Sequence, residues 1–576
     1  MPVHNNDIAA GFEEIADFLE IDGANAFRVR AYRNAARLLR GLSTEVSEMI
    51  AAGRDLSELS GIGKDLAAKI AEMSKTGSCK LLRDLKRKHP PALTDLLKVP
   101  GLGPGRVKTL YKKRGIRTLH QLHEAAKKGR LHGLPGIGAK IEQQILESLE
   151  KRAKTPERFK LATAAPYADS LVAYLKKVKG VDQVTVAGSF RRSRDTVGDL
   201  DILVTASAKS PVMAKFVAYD EVAKIVASGA TKATVILRSG IQVDLRVVPK
   251  KSYGAALYYF TGSKAHNVAV RRMAQKRGLK INEYGVFRND KQIAGKTEES
   301  VFRAVDLPYI PPELRENNGE IEAASKGKLP HLVELGDLTG DLHVHTKATD
   351  GHDTVAGMVK AAKAMGFAYI AITEHSRHLT VARGLDAKAL RKQMAEIDRF
   401  NAGKPGIAVL KGIEVDILED GKLDLPDEVL AGLDLVIGAV HSNFKLSRAK
   451  QTKRILRAME RPYFTILAHP LGRLINEREP YDVDMERIIR HAKKRGCFLE
   501  LNAHPERLDL FDIYCQMAKS EGVLVAVNSD AHSTGDFKNL RFGIGQARRG
   551  WLEKKDVLNT RPLKSLRPLL ARTMKG

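Results

Sequence analysis

Seven short apolar runs lie in the last part of the chain, at 341–346, 368–374, 407–417, 433–440, 464–468, 497–503 and 523–529, separated by helical stretches such as TVAGMVKAAKAMG. Strands alternating with helices predict a parallel sheet closed into a barrel. Seven of them point to a distorted (β/α) barrel rather than the eight-stranded form. Nine residues of metal-ligand type accompany the runs: His343 and His345 in DLHVHT, Asp350 in TDG, His375 in AITEH, Glu414 in KGIEV, His441 in IGAVH, His469 in ILAHP, and Asp530 and His532 in NSDAH. Chemistry in such barrels sits at the C-terminal ends of the strands. Eight of the nine fall at or beside an end, and Asp350 lies in the loop after the first strand. A lone histidine after a strand is ordinarily structural, but nine residues repeating that placement point to bound metal. Mixed histidine and carboxylate ligands suit Mn²⁺, Zn²⁺ or Fe²⁺ better than Mg²⁺. His352, His378, His491 and His504 stand outside the pattern and read as surface or supporting residues.

A second acidic site, of another kind, lies far upstream. In VTVAGSFRRSRDTVGDLDILV, Asp199 and Asp201 are two apart on a strand-like run, which puts both carboxylates on one face. Asp244, in IQVDLRVV, lies on another strand that can pair alongside. Three convergent carboxylates make a hard, oxygen-rich site suited to Mg²⁺ (or Mn²⁺), of the sort that serves in-line phosphoryl transfer. Gly188 and Ser189 open a turn that can approach phosphate closely, and Arg192 can neutralise it.

The net charge of +28 is unevenly placed. Residues 1–300 carry 53 Lys and Arg against 31 Asp and Glu, whereas 301–576 carry 43 against 37. A basic excess on one half suits a polyanion partner. Within that half one pattern recurs, in LSGIGKDLAAKI, VPGLGPGRVKTL and LPGIGAKIEQQI: an apolar residue, a G-h-G turn, then a helix start. The glycines, Gly61 and Gly63, Gly101 and Gly103, Gly136 and Gly138, leave the backbone bare. Helix N-terminal amides then face outward as an anion site, with Lys64, Arg106 and Lys140 close by. Three cysteines and no CxxC fit a reducing cytosol, and neither a signal peptide nor a membrane span is expected.

These motifs resemble known families. The G-h-G turns resemble the helix-hairpin-helix, which grips DNA backbone phosphates without reading sequence. With AYRNAARLL the opening segment looks like the amino-terminal domain of DNA polymerase beta and its relatives. That likeness implies a Schiff-base lyase lysine at Lys69, with Arg28 and Tyr32 in its pocket, although Asp65 stands where the family often has another lysine. Such a lysine needs a lowered pKa. The acidic site resembles the nucleotidyltransferase superfamily. YYFTGSKAHNVAVRRMAQKRGLKINEYGVF narrows it to family X DNA polymerases, with Tyr259, Phe260 and Gly262 lining the incoming nucleotide and Asn267 and Arg271 contacting nucleotide and template. Lys264 and Ser193 depart from the common pattern. HVHT, EH, GIEV, AVHS, AHP and SDAH resemble the polymerase and histidinol phosphatase (PHP) domain. That family implies three ions: one on His343, His345, Glu414 and Asp530; one on Glu414, His441 and His469; one on Asp350, His375 and His532.

The expected organisation is multidomain, α+β and α/β: a lyase-like helical domain at 1–85, a helix-hairpin-helix subdomain at 86–155, a beta-type nucleotidyltransferase palm at 156–250, a nucleotide-selecting subdomain at 251–311, a polar linker at 312–334, and a seven-stranded (β/α) PHP barrel at 335–576. Together the resemblances imply a cytoplasmic, monomeric DNA polymerase of the bacterial and archaeal family X type. It would use deoxynucleoside triphosphates on gapped or nicked duplex DNA in repair, with 3′→5′ exonuclease in the barrel. Competing readings are a template-independent nucleotidyltransferase, or a DNA-binding scaffold with nuclease activity alone.

Overall fold

Ile8, Phe12, Ile15 and Leu19 recur at helical spacing and are buried along one stripe of the opening helix, α1 (Asn5–Asp22). The Asp7 carboxylate accepts from the His4 amide at 3.0 Å at its start, and Gly23, at φ +83°, ends it in the left-handed region. The computed structural model describes residues 3–42, 45–59, 61–154 and 158–575, and the chain divides into two compact units, at 1–158 and 159–576. The expected domain boundary at 155/156 falls outside the described residues.

The first unit is helical among its described residues, and α1 packs against α2 (Lys64–Thr76), where a Cβ on Gly11 would run into Met73 Cε. It has two cores. One gathers Phe12, Phe18, Leu39, Ile70 and Leu82. The other gathers Leu96, Val107, Leu110, Leu122 and Ile145 from α3 (Pro104–Arg114), α4 (Ala139–Lys154) and their neighbours.

The second unit opens with α5 (Leu161–Lys176) against a five-stranded sheet: β1 (Val181–Val186), β2 (Asp199–Ala206), β3 (Val222–Ser228), β4 (Lys232–Leu237) and β5 (Gln242–Val247), in the order β1-β2-β5-β4-β3. The β2–β5 pair is parallel, with Asp201 opposite Asp244, and the other pairs are antiparallel. Ile475, Leu508 and Phe542, from much later in the chain, complete the apolar core of this sheet. Next come α6 (Tyr253–Thr261), α7 (Lys264–Gln275) and a small antiparallel sheet of β6 (Lys280–Asn282), β7 (Gly285–Arg288) and β8 (Lys291–Ala294).

Residues 312–334, expected as a polar linker, include the short helices Pro312–Leu314 and Glu320–Ser325. Leu314, Ile321 and Ala324 join the core under α6 and α7. Arg315 is fully buried, donating to Glu298 at 2.6 Å and to the Ile310 carbonyl at 2.8 Å; Glu320, also buried, meets His266 Nδ1 at 2.7 Å. Two of its polar residues, Arg315 and Glu320, are thus buried in pairs, and such pairs show no periodicity in a sequence.

The seven apolar runs form seven parallel strands in sequential order: β9 (Gly340–Val344), β10 (Tyr369–Ile372), β11 (Ala408–Asp416), β12 (Leu435–Ala439), β13 (Ile466–Leu467), β14 (Phe498–Asn502) and β15 (Val525–Asn528). The ring nearly closes: Val344 bridges in parallel to Ala531, whose carbonyl accepts from the His345 amide at 2.8 Å. Cys79, Cys497 and Cys515 are buried and free. Among the described residues no helix is long and apolar enough to cross a membrane.

Candidate active sites

The nine barrel candidates come together at the C-terminal ends of the strands. Glu414, 1% exposed on β11, is the centre. Its carboxylate lies 2.7 Å from His375 Nδ1, 2.9 Å from His469 Nε2, 3.3 Å from His441 Nε2, 3.5 Å from His343 Nε2 and 3.7 Å from His345 Nε2. Asp530 Oδ1 stands 3.2 Å from His345 Nε2 and 3.5 Å from His343 Nε2. Asp350 is 3.4 Å from His375 Nε2 and 3.5 Å from His532 Nε2. Among the described residues, three groups converge with all ligand atoms within 4.8 Å: His343, His345, Asp530; His375, Glu414, His441; and His345, Asp350, His375, His532. The grouping differs in detail from the one the resemblance implies: His375 joins Glu414 and His441, where His469 was expected.

The donor set fits divalent metal. His343 Nε2, both ring nitrogens of His345 and Asp350 Oδ1 are buried without a hydrogen-bond partner, a cost that ligation removes. Burial pushes His345 down to about 3, and His532 and His375 add to it, so the imidazole is neutral, as a ligand must be. Burial pushes Glu414 up, but His375, His441 and His343 outweigh it and hold it well below the carboxylate range. His469 and Asp530 adopt φ of +26° and +54°, strained values for residues with a Cβ, of the kind that surrounding structure imposes at functional sites.

Three supporting side chains escaped the sequence reading. Glu500 accepts at 2.7 Å from His343 Nδ1, Asp416 lies 3.1 Å from His441 Nδ1, and Asn502 donates to Asp530 at 3.0 Å. They orient the rings and carboxylate in front of them. A signal was present for two: Glu500 is the lone acid in the apolar run CFLELNA, and Asp416 shares a strand face with Glu414. Of the four histidines set aside, His504 is held down to about 3 chiefly by burial, and its Nδ1 accepts from the Glu506 amide at 3.3 Å.

In the five-stranded sheet, β2 and β5 bring Asp199, Asp201 and Asp244 to neighbouring positions. Burial, with Asp199 and Asp244 alongside, pushes Asp201 up to about 7 against the pull of Arg246 and Arg192. Asp244 accepts from Gln242 at 2.8 Å and from the Thr234 hydroxyl. Gly188 turns at φ +63°, and a Cβ there would stand 2.6 Å from Asp201 Oδ2, so only glycine brings this turn onto the carboxylate. Ser189 follows in the short helix Gly188–Arg191. Arg192 pairs with Glu316 at 3.1 Å and donates to the Thr261 carbonyl beside Gly262. Phe260 lies under the Arg246 guanidinium at 4.3 Å and edge-on to Tyr259; Asn267 donates to the Tyr259 carbonyl at 2.7 Å. Arg271 is half-buried and Lys264 exposed on α7. An all-oxygen donor set of three adjacent carboxylates fits a hard divalent ion.

In the first unit, Gly61, Gly101 and Gly136 have φ of +82°, +88° and +79°, while the apolar residue after each, Ile62, Leu102 and Ile137, is buried and anchors the turn. Gly63, Gly103 and Gly138 have open space where a Cβ would be, and α2, α3 and α4 start just beyond. Lys64 and Lys140 are exposed. Arg106 instead donates to the carbonyls of Gly136 at 2.7 Å and Gly101 at 2.6 Å, tying the second and third turns together. Lys69 pairs with Asp65; although burial opposes, that bond and Tyr32 raise its pKa, the reverse of what a Schiff-base lysine needs. Arg28 is exposed at the start of the helix Ala26–Gly41.

Family models match the helix-hairpin-helix domain at 3–79, the SAM-like helix-hairpin-helix tandem at 93–151, the DNA polymerase beta thumb at 256–316 and the PHP domain at 341–504. DNA-gripping modules, a beta-type polymerase thumb and a PHP barrel in one chain define a DNA polymerase with a second, hydrolytic domain. The chain is 38% identical over 574 residues, 99% of its own length and 100% of the relative's, to the DNA polymerase/3'-5' exonuclease PolX of Bacillus subtilis (strain 168). It belongs to this family, the family X DNA polymerases with a carboxyl-terminal PHP domain. A probable phosphatase of Thermoanaerobacter sp. (strain X514) is 30% identical over 239 residues, covering 39% of this chain and 91% of the relative. A solved chain of Leishmania infantum polymerase beta, from a ternary P/T complex, is 23% identical, covers 39% of this chain and 98% of its own, and has a TM-score of 0.27.

Proposed function

We propose that this protein extends DNA primers at the palm site and removes nucleotides 3′→5′ at the barrel site, filling short gaps in repair. The end-to-end likeness to a DNA polymerase/3'-5' exonuclease carries the reading. Asp199, Asp201 and Asp244 would hold Mg²⁺ or Mn²⁺, and His343, His345, Asp350, His375, Glu414, His441, His469, Asp530 and His532 a cluster of three Mn²⁺, Zn²⁺ or Fe²⁺ ions. When bound, such ions supply charge stabilisation to phosphoryl transfer and to phosphodiester hydrolysis.

The protein's own residues bind and orient. The bare turn at Gly188 and Ser189 admits the triphosphate of a deoxynucleotide, and Arg192 offsets its charge. Tyr259, Phe260 and Gly262 form the wall beside the sugar and base, with Asn267 holding the Tyr259 backbone and Arg271 facing the template. The turns at Gly61, Gly101 and Gly136 hold backbone phosphates of gapped or nicked duplex through helix N-terminal amides, with Lys64 and Lys140 alongside. Lys69 enters as the ion-pair partner of Asp65 and not as a nucleophile.

One labelled, gapped substrate tests the reading. With all four nucleotides and Mg²⁺ the gap should fill with template-directed bases; with Mn²⁺ and no nucleotides the primer should shorten from its 3′ end. Addition indifferent to template would replace the reading with a template-independent transferase, and shortening without any addition would replace it with a nuclease scaffold.

A further inference from the structure

The loop that carries Gly188, Ser189 and Arg192 is not supported by the palm alone. Arg549 ends the barrel-domain helix α8 (Leu540–Arg549), which starts eight residues after His532. Its side chain is 4% exposed. Nη1 donates to the Arg192 carbonyl at 3.1 Å and to Glu316 Oε1 at 2.9 Å, and Nη2 donates to Asp512 at 2.5 Å. Glu316 Oε1 is the same oxygen that accepts from Arg192 Nε at 3.1 Å. One carboxylate is therefore shared between the loop arginine and the barrel arginine.

One turn earlier on α8, Gly545 faces Ser193, and a Cβ on Gly545 would lie 2.8 Å from the Ser193 Cβ and Oγ. Ser193 is the residue that departs from a common glycine in this loop, and it sits at φ +51°. A third contact holds the loop's far end: Arg473 Nη1 donates to Asp195 at 2.8 Å, while its other nitrogens donate to the carbonyls of Arg507 and Leu508 at 2.6 Å each. Residues 192, 193 and 195 are thus each gripped by the barrel domain.

We infer that the PHP domain is part of the nucleotide-binding site: Arg549 and Gly545 are positioning residues that set the loop for the incoming triphosphate. This rests on the reading of that loop as the triphosphate cradle. Without Arg549, Glu316 keeps Arg192 at 3.1 Å and the more distant Arg194 at 3.9 Å; it binds Arg192 more tightly, so Arg192 is less available to phosphate. The Arg192 carbonyl also loses its donor.

The test uses the full chain with Arg549→Gln, Gly545→Ala, the double change Gly545→Ala with Ser193→Gly, and Arg192→Gln. Single-nucleotide gap filling is measured against nucleotide concentration, and 3′→5′ degradation of single-stranded DNA on the same preparations. Arg549→Gln and Gly545→Ala should each raise the nucleotide KM, the first by roughly tenfold or more as expected for a buried charged hydrogen bond, with kcat moving less and degradation unchanged. Ser193→Gly in the Gly545→Ala background should bring KM back, which generic damage would not permit. An unchanged KM in Arg549→Gln and Gly545→Ala, beside a raised KM in Arg192→Gln, overturns the inference and leaves the cradle standing. Parallel loss of synthesis and degradation, unrescued by Ser193→Gly, also overturns it. An unchanged KM in Arg192→Gln removes the cradle and the inference with it.

Discussion

Replacing Glu414 by Gln keeps the side-chain volume and removes one buried charge. That charge faces five imidazoles between 2.7 and 3.7 Å. Losing a group that only orients a ligand costs about 10–100-fold in metal affinity or activity. Glu414 is itself a candidate ligand and adjoins more than one converging group, so the exonuclease should fall by at least about 100-fold, equivalent to roughly 2.7 kcal/mol of transition-state stabilisation. Elemental analysis of purified protein should show more than one ion lost per chain, because Glu414 also faces His343 and His345 of a second group, and His532→Ala, at the edge of the cluster, should lose fewer. Gap filling should persist in both, since the carboxylates proposed for it belong to the five-stranded sheet. The assay is degradation of a 5′-labelled single strand beside gap filling on the same preparations. Undiminished degradation or unchanged metal content in Glu414→Gln would refute the assignment of Glu414 and place hydrolysis elsewhere.

Asp199→Ala or Asp244→Ala should abolish nucleotide addition and spare degradation; addition near the parental rate would dismiss the palm reading. Residues 1–158, which hold two cores of their own, should bind duplex DNA with an affinity that falls steeply as salt rises, because each neutralised phosphate releases counterions; a flat salt response would count against phosphate gripping. In the same fragment, Asp17 is pushed up to about 6, chiefly by burial and against the pull of Arg33. A raised folded pKa contributes stability in full below the unfolded value near 4 and loses it as pH rises through about 6. Asp17→Asn should therefore stabilise the fragment to denaturant at pH 8 and leave it little changed at pH 4; the opposite pH trend would contradict the shift.

The barrel was legible because its strands are uninterrupted apolar runs between helical stretches, and each run became a strand. Eight of the nine candidate ligands were legible for the same reason, being polar residues placed where those runs stop, with Asp350 in the loop after the first run. The turn glycines were equally plain, since positive φ at Gly61, Gly101 and Gly136 leaves a compositional mark. What stayed hidden depends on partners distant in sequence. Glu500 meets a histidine 157 residues away, and nothing local to CFLELNA says which. The fold of 312–334 hung on Arg315 finding Glu298 and Glu320 finding His266. Arg106 looked free to meet DNA because its acceptors, the carbonyls of two turns, leave no pattern in a sequence, whereas the Asp65–Lys69 pair, four apart on one helix, was open to reading.

Ile475, Leu508 and Phe542 belong in sequence to the barrel, yet they are buried in the apolar core of the five-stranded sheet. Each contributes on the order of 1.5–3 kcal/mol by its burial, and that sheet forfeits the stabilisation if the barrel opens. The consequence is cooperative. In a denaturant titration, synthesis and degradation should be lost together in a single transition, although the two chemistries use different residues. A mutation that weakens the barrel far from either site would then lower both activities by shrinking the folded population, whereas the amino-terminal unit, with separate cores, can unfold on a schedule of its own.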